Sequence, residues 1–216
     1  MTTSSTSRTP RRTQRERREA TVAKLVEATI EAIGEVGYQR ATVQVICARA
    51  GLSVGAMFRQ FDGRLELVAA ALEEVVARHL QGFRDHVDRL DPDGDRLTAS
   101  LEFLQRATAA PTTAMQREVV AAARGDAELR ARIAPAVTRY YAAIAADVER
   151  AGVFDRFPPA LREPLLFMMI HLFSGEALIQ TVYPRPDLAA STPALAHDML
   201  LSLASTLEHR TASPQP

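Results

Sequence analysis

Apolar positions recur with helical spacing along almost the whole chain. In the first segment, Val22, Leu25, Val26, Thr29, Ile30 and Ile33 share one face of a predicted helix over residues 19–35. Similar stripes predict further helices over about 43–50, 54–61, 64–87, 96–110, 112–124, 127–151, 160–183 and 192–209. No segment alternates with period two for long enough to predict a strand. The pattern therefore predicts an all-α chain with about nine helices.

Glycine and proline mark the breaks between these helices, and the breaks divide the chain. The turn Asp62-Gly63 separates a short N-terminal group from a long helix, and Asp91-Pro92-Asp93-Gly94 is the next clear break. We predict a disordered, arginine-rich arm over residues 1–18 and a three-helix unit over 19–66. A larger helical part follows over 67–210, and residues 211–216 form a disordered tail.

Residues 42–61, TVQVICARAGLSVGAMFRQF, predict two short helices joined by a tight turn. Gly51 can take the positive φ that ends a helix, and Ser53 can cap the next one. Two helices joined by a short turn with glycine form a helix-turn-helix, which lays its second helix in the DNA major groove. This stretch therefore predicts DNA recognition.

A set of residues around this stretch is characteristic as a group. It comprises Gly37-Tyr38, Thr42-Val43, the AGLSVG segment over 50–55, Phe58, Phe61, Arg64 and Leu67. With this set, residues 20–67 resemble the DNA-binding domain of TetR-family transcriptional regulators. The resemblance implies a helix-turn-helix DNA-binding domain followed by a C-terminal helical domain for ligand binding and dimerisation. Phe58 departs from the family's usual tyrosine and Gln60 from its usual His or Tyr, which implies a different operator.

The resemblance also implies which side chains meet DNA. Gln60 could pair with adenine, while Val54 and Met57 could touch thymine methyl groups. Arg59 and Arg64 are expected to meet phosphates. The full predicted DNA-binding set is Thr42, Gln44, Ser53, Val54, Gly55, Met57, Phe58, Arg59, Gln60 and Arg64.

Charge is unevenly distributed along the chain. Residues 1–64 hold eleven basic and six acidic side chains, whereas the remainder holds 15 basic and 20 acidic ones. A basic N-terminal part suggests that this end meets a polyanion. An arm of arginines could follow the DNA backbone or enter the minor groove, and a solvated tail remains the alternative. These arginines are Arg8, Arg11, Arg12, Arg15, Arg17 and Arg18.

The last two predicted helices indicate a dimer interface. Residues 160–183 are apolar almost all round, so this helix should be buried on more than one side. Two helices from each of two chains would form a four-helix interface, as in the family that the chain resembles. The predicted interface residues are Phe173, Ala177, Met199, Leu200, Leu203 and Leu207.

The resemblance places a ligand pocket among the C-terminal helices. The predicted lining is Phe103, Leu104, Met115, Val119, Tyr140, Tyr141, Ile144, Met168, His171 and Leu172. A mostly apolar cavity with a few polar groups is typical of small-molecule sites, and plain helix-bundle core is the alternative for each residue. His171 could be a polar anchor for a ligand or a core histidine at the dimer interface.

Three other motifs have weaker functional interpretations. Residues 51–55 match G-x-S-x-G, but a nucleophilic Ser53 needs a preceding strand, so a helix cap is favoured. The acidic residues 91, 93, 95 and 102 have calcium-loop spacing, but Arg96 replaces the required glycine, so Asp95 is expected to cap a helix. Cys47 is expected to be a buried hydrophobe rather than a redox switch.

Composition limits the remaining classes. The chain has 216 residues, 47% of them hydrophobic, and one cysteine, which excludes an internal disulfide and fits a cytoplasmic location. Its N-terminus lacks the apolar region of a secretory signal, and its most apolar run is too short to span a membrane.

We therefore expect a non-enzymatic, homodimeric transcriptional regulator with no metal and no cofactor, and no membrane association. Its expected partners are double-stranded operator DNA and an unidentified small-molecule effector. It is expected to be a repressor released from a palindromic operator by a small, largely apolar ligand. A nonspecific DNA-compacting protein without an effector is the alternative.

Overall fold

The computed structural model describes residues 13–91 and 94–212, and its regular secondary structure there is entirely helical. Its helices are α1 Gln14–Val36, α2 Val43–Ala50, α3 Val54–Phe58, α4 Arg64–Val87, α5 Arg96–Ala109, α6 Pro111–Ala122, α7 Ala127–Ala151, α8 Pro159–Ile179 and α9 Pro186–Ala212. The all-α prediction with about nine helices is confirmed for the described residues.

Helix α1 begins earlier than predicted because Thr13 and Glu16 form a capping box. The Thr13 hydroxyl accepts a hydrogen bond from the Glu16 amide, and the Glu16 carboxylate accepts one from the Thr13 amide. The predicted disorder is therefore wrong for residues 14–18. Arg15, Arg17 and Arg18 lie on the helix, while Arg8, Arg11 and Arg12 lie outside the described residues.

The first hydrophobic core joins the three N-terminal helices to later parts of the chain. Leu25 of α1, Ile46 of α2 and Leu67 of α4 are fully buried in it. Met115 and Val119 of α6, with Leu129 of α7, are buried in the same cluster. Helices α1 and α4, which support the helix-turn-helix, therefore both pack against α6, and α4 also packs against α7.

The second core lies in the C-terminal part and is formed by α4, α5, α7, α8 and α9. Phe83, Leu101, Ile144, Phe173 and Leu200 are its central members. Helix α4 belongs to both cores, because its N-terminal half packs in the first and Phe83 packs in the second. It is a continuous rod between the two parts of the protein.

A buried carboxylate ties α4 to α7. Asp147 is only 3% exposed, and its side chain accepts a hydrogen bond from Nε of Arg84 at 2.9 Å and another from Arg150. A buried charge is tolerated when it is paired and hydrogen-bonded, as here. The pair fixes the orientation of α4 against the C-terminal helices.

Candidate DNA-binding surface and ligand cavity

The helix-turn-helix has the predicted geometry at its turn. Gly51 ends α2 in the left-handed conformation, with φ 64° and ψ 35°, where a residue with a Cβ would be strained. The Ser53 hydroxyl accepts a hydrogen bond from the Ala56 amide at 3.1 Å, so the prediction that it caps α3 is confirmed. A helix precedes Ser53 rather than the strand that a nucleophile elbow requires.

The predicted DNA-binding residues divide by exposure. Helix α3 ends at Phe58 and is shorter than predicted, and the Gln60 and Phe61 amides, in the turn that follows, both donate to the Met57 carbonyl. The exposed members of the predicted set are Thr42, Gln44, Ser53, Gly55, Phe58 and Arg59. They lie at the starts of α2 and α3 and at the end of α3, and they form the candidate DNA-binding surface. Val45, 37% exposed on α2, was not predicted and belongs to this surface.

Met57 does not belong to the exposed surface, which corrects the prediction that it touches bases. Its side chain is 0% exposed and packs in the first core, whereas its neighbour Phe58 is 55% exposed. Val54 is half-buried against the same core. Met57 therefore holds α3 in place, whereas Val54 contacts the core but remains partly exposed.

Arg64 is also structural rather than a free phosphate ligand. Its Nε donates to the Ala41 carbonyl at 2.8 Å, and a second guanidinium nitrogen donates to the Tyr38 carbonyl. The guanidinium carbon lies 4.2 Å from the centre of the Tyr38 ring. These contacts fix the start of α4 against the loop before α2, so the predicted phosphate contact is wrong for the geometry described.

Gln60 has a partner that the sequence did not indicate. Its side-chain oxygen accepts a hydrogen bond from Nε of Arg18 at 3.2 Å, and Arg18 is exposed on α1. Arg18 was predicted to belong to a disordered arm, so this contact could not be foreseen. The basic side chain of Arg18 is thereby placed beside the candidate DNA-binding surface.

The C-terminal part contains a cavity of about 560 Å³ among helices α4 to α8. Six of the predicted ligand residues line it, namely Phe103, Leu104, Tyr140, Tyr141, Ile144 and His171. Met115 and Val119 do not, because they are buried on the opposite face of α6 in the first core. Met168 and Leu172 do not either, because they are 59% and 44% exposed on the outer face of α8.

Aromatic side chains form one wall of this cavity. Tyr141 lines the cavity and stacks on Phe167, which lies outside the lining, with ring centres 4.8 Å apart. Nδ1 of His171 donates a hydrogen bond to the Phe167 carbonyl at 2.6 Å. Burial raises the pKa of Tyr140 to about 12, so its hydroxyl stays neutral. His171 lines the cavity and is exposed in the single chain.

Neutral and cationic polar groups line the end of the cavity formed by α4 and α6. Burial lowers the pKa of His79 to about 4, and its Nε2 lies 3.2 Å from the hydroxyls of Thr112 and Thr113. Arg117 of α6 donates to the Thr108 carbonyl at 2.7 Å, and burial lowers its pKa. This arrangement can hold a molecule with an apolar body and a polar end.

Most of the large apolar side chains that are exposed on the described chain lie on or between α8 and α9. They are Met168, Leu172, Leu178, Ile179, Val182, Tyr183, Leu188, Leu195, Met199 and Leu203. Leu195, Met199 and Leu203 form one stripe along α9. An exposed apolar patch of this kind marks an interaction surface.

The predicted dimer residues are only partly on that surface. Met199 and Leu203 are exposed on it, but Phe173 and Leu200 are 1% and 4% exposed because they face the second core. Leu207 is half-buried against the same core, and Ala177 is half-buried. Phe173 and Leu200 therefore cannot contact a second chain without rearrangement.

The remaining motifs behave as structural elements. Burial raises the pKa of the Cys47 thiol, which is 2% exposed in the first core. The Asp95 carboxylate caps α5 by accepting from the amides of Leu97 and Thr98, as predicted, and Asp93 lies outside the described residues. Within residues 13–91 and 94–212, there is no group of three possible metal ligands. In the same ranges, no helix is both long and apolar enough to cross a membrane.

The chain is similar in sequence to bacterial transcriptional regulators. Residues 25–71 match the profile of the family described as bacterial regulatory proteins, tetR family. An uncharacterised HTH-type transcriptional regulator of Mycobacterium bovis is 38% identical over 168 residues, which cover 78% of this chain and 86% of the relative. A relative in Mycobacterium tuberculosis has the same identity and coverage.

Solved structures show the same fold. A TetR family transcription regulator from Marinobacter aquaeolei has a TM-score of 0.55 at 19% identity, over 86% of this chain and 97% of the other. A transcriptional regulator from Rhodococcus sp. has a TM-score of 0.63 at 18% identity, over 84% and 96%.

Proposed function

Because the chain belongs to the TetR family of DNA-binding transcriptional regulators, we propose that it is a homodimeric repressor with a ligand-controlled affinity for DNA. In this proposal a small, largely apolar molecule fills the cavity and releases the protein from a palindromic operator. One observation carries it: helix α6 packs on the first core with one face and lines the cavity with another.

The candidate DNA-binding surface supports the DNA-binding part of the proposal. Arg59 is exposed and, within the described residues, has neither an ion pair nor a side-chain hydrogen bond, so it is available for a phosphate. Gln44 and Phe58 are exposed where they would meet base edges or thymine methyl groups. The Gln60 amide nitrogen would donate to a base while Arg18 holds its oxygen.

The apolar face of α8 and α9 supports the dimer. A twofold pair of recognition helices about 34 Å apart would read two successive major grooves, which requires two identical chains and a palindromic site. Packing α8 and α9 of one chain on those of another would bury the exposed stripe in a four-helix interface. DNA as the partner places the expected site of action in the cytoplasm.

Control by ligand would pass through α4 and α6. Met115 and Val119 of α6 are fully buried in the first core, while Gln116 and Arg117, next to them, line the cavity. A ligand that displaces the cavity wall therefore displaces the support of the helix-turn-helix. The ligand would favour one separation of the two recognition helices over the other. If its binding free energy differs by about 1–3 kcal/mol between the two separations, operator affinity would change about 5- to 150-fold.

The dimer and the operator can be tested together with Met199→Glu, which places a charge on the exposed stripe of α9. We expect this variant to be monomeric by light scattering and to lose affinity for a palindromic site while keeping its helical content. Ser205→Glu is the matched control, because Ser205 is exposed on α9 away from the stripe. A dimeric Met199→Glu protein with unchanged operator affinity would contradict the proposed interface.

A salt titration separates this function from nonspecific compaction. A regulator should bind the selected site much more tightly than random DNA at each salt concentration. Equal affinities with the same steep salt dependence on both DNAs would support compaction instead.

A further inference from the structure

The charged side chains in the cavity wall have one sign. Among the described residues that line the cavity there is no aspartate or glutamate, whereas Arg78, Arg117 and Arg124 are present. The two histidines, His79 and His171, add further hydrogen-bonding groups. A ligand in this cavity therefore meets positive and neutral polar groups but no carboxylate.

Only one of these arginines is both enclosed and unpaired within the described residues. Arg78 is paired with Glu27 and, at 2.8 Å, with Glu74, so its charge is already compensated. Arg124 is exposed. Arg117 is half-buried and has no ion pair within 4 Å in the part of the chain that the structure describes.

Arg117 is suited to bind an anion. Within the described residues it makes one hydrogen bond, to the Thr108 carbonyl, and most of its N–H donors have no partner there. The nearest acidic neighbour in sequence, Glu118, accepts a hydrogen bond from the Tyr38 amide and does not line the cavity. Burial, which lowers the pKa of Arg117, has a larger effect on that pKa than the Glu118 carboxylate, which raises it. Burial lowers the pKa of Arg117, which means that its charge is poorly solvated and would gain from an anionic partner.

Most of the other lining side chains are apolar. Leu97, Leu101, Val148 and Leu166 contribute side chains from α5, α7 and α8, whereas Gln116 and Thr113 accompany Arg117 on α6. The cavity therefore combines a largely apolar lining with neutral polar groups and the guanidinium of Arg117 on α6.

We propose that this cavity selects an apolar molecule bearing a single carboxylate, which Arg117 binds, and that it rejects apolar cations. The inference rests on the proposed function for the role of the cavity, and it adds the chemical class of the ligand. The planar guanidinium matches a carboxylate bidentately, and one available arginine compensates one negative charge. An ammonium group at the same place would be desolvated beside Arg117 with no carboxylate to accept its protons.

The test compares three probes with the same body: decanoate, decanol and decylamine. Isothermal titration calorimetry on the full-length protein without DNA gives each affinity directly. We expect decanoate to bind about tenfold or more tightly than decanol, because a charge-assisted hydrogen bond adds to the shared apolar burial. Decylamine should bind more weakly than decanol. Decylamine binding as tightly as decanoate, or no binding by any of the three, would overturn the inference.

Variants locate the effect at Arg117. Arg117→Gln should remove the advantage of decanoate and leave the affinity for decanol unchanged, whereas Arg117→Lys should retain part of the advantage. Arg106→Gln is the control, because it removes the same charge from an exposed part of α5 that does not line the cavity. A decanoate-to-decanol ratio that is the same in Arg117→Gln and in the unmodified protein would contradict the assignment.

The two levels of the proposal fail separately. Decanoate that binds through Arg117 but leaves operator affinity unchanged would overturn ligand release and leave the carboxylate inference standing. Operator release by decanol or decylamine as readily as by decanoate would overturn the carboxylate inference and leave ligand release standing.

Discussion

The Glu118 carboxylate accepts a hydrogen bond from the backbone amide of Tyr38 at 3.4 Å, joining α6 to the loop before the helix-turn-helix. The same oxygen lies so close to Gly37 that a Cβ there would be 3.2 Å away. Arg117, the preceding residue, lines the ligand cavity. One turn of α6 therefore touches both the DNA-binding part and the ligand cavity.

Replacing Glu118 with Ala should weaken communication between the two sites. We expect decanoate still to bind by calorimetry, while its effect on operator affinity, measured at saturating decanoate, shrinks by about 0.5–2 kcal/mol. Fluorescence anisotropy of labelled operator DNA, with and without decanoate, measures that effect.

Glu163→Ala is the matched control for this experiment, because Glu163 is exposed on α8 and lines no cavity. It should leave the effect of decanoate on operator affinity unchanged. A Glu118→Ala protein that responds to decanoate like the unmodified protein would show that this contact carries no coupling.

Truncation of the adjacent residues Met57 and Phe58 of α3 should change the free energy of unfolding by very different amounts. Met57→Ala removes a fully buried side chain from the first core and should reduce the free energy of unfolding by about 2–5 kcal/mol. Phe58→Ala removes an exposed ring and should change that free energy by less than about 0.5 kcal/mol. Urea unfolding measures both.

DNA affinity provides the second measurement for this pair. Phe58→Ala should weaken operator binding at a temperature where the protein is fully folded. Stability losses of equal size in the two variants would contradict the assignment of Met57 to the core and Phe58 to the surface.

The same helix explains what the sequence could and could not predict in the DNA-binding part. The roles of Gly51 and Ser53 could be predicted, because each depends on the local backbone alone. Glycine suits the left-handed conformation that ends α2, and a serine hydroxyl suits the first free amides of α3. The buried face of α3 could not be recognised from the sequence. A helix of five residues is too short for the spacing of its apolar residues to show which side is buried. Arg64 was misassigned because its partner, Tyr38, lies 26 residues earlier in the chain.

In the C-terminal part, the helices could be predicted from the sequence. Which face of each helix lies in which core, and which face is exposed, could not be predicted. Met115 and Val119 were predicted to line the ligand cavity but are buried in the first core, because periodicity does not say which of two cores receives an apolar face. Helix α8 is apolar almost all round, so Phe173 and Leu172 were indistinguishable in the sequence. Tertiary packing places the first inside and leaves the second exposed.

Arg18 and Gln60 should have separable effects on DNA binding. Arg18→Ala removes a basic side chain beside the candidate surface, so affinity should fall similarly on all sequences and the salt slope should decrease by about one. Gln60→Ala should instead change the preferred base at one position of each half-site. Binding assays over a range of salt and over single-base variants of the operator separate the two effects.

Arg15→Ala is the control for charge, because Arg15 is exposed on α1 and paired with Glu19. Unchanged affinity and unchanged base preference in Gln60→Ala would remove Gln60 from the recognition of bases.

The half-buried His79 should make stability depend on pH. Its folded pKa of about 4 lies below the ordinary value of 6.5, so the folded state binds fewer protons than the unfolded state between these values. Its contribution to stability is present above pH 6.5 and is lost as pH falls towards 4, by up to about 3 kcal/mol. Urea unfolding at both ends of this range should show the loss in the unmodified protein and a smaller loss in His79→Gln.

His209→Gln is the matched control, because His209 is exposed on α9. The His209→Gln protein should lose the same free energy of unfolding between pH 6.5 and pH 4 as the unmodified protein does. The same pH dependence in His79→Gln and in the unmodified protein would show that His79 is not buried in its neutral form.

The central claim is that two copies of the exposed helix-turn-helix surface read one DNA site. Selection of bound sequences from a random DNA pool with the purified full-length protein tests it most directly. The account predicts an inverted repeat whose half-site centres are about one helical turn, 34–36 Å, apart. A pool with no enriched sequence, or an enriched single half-site without symmetry, would contradict it.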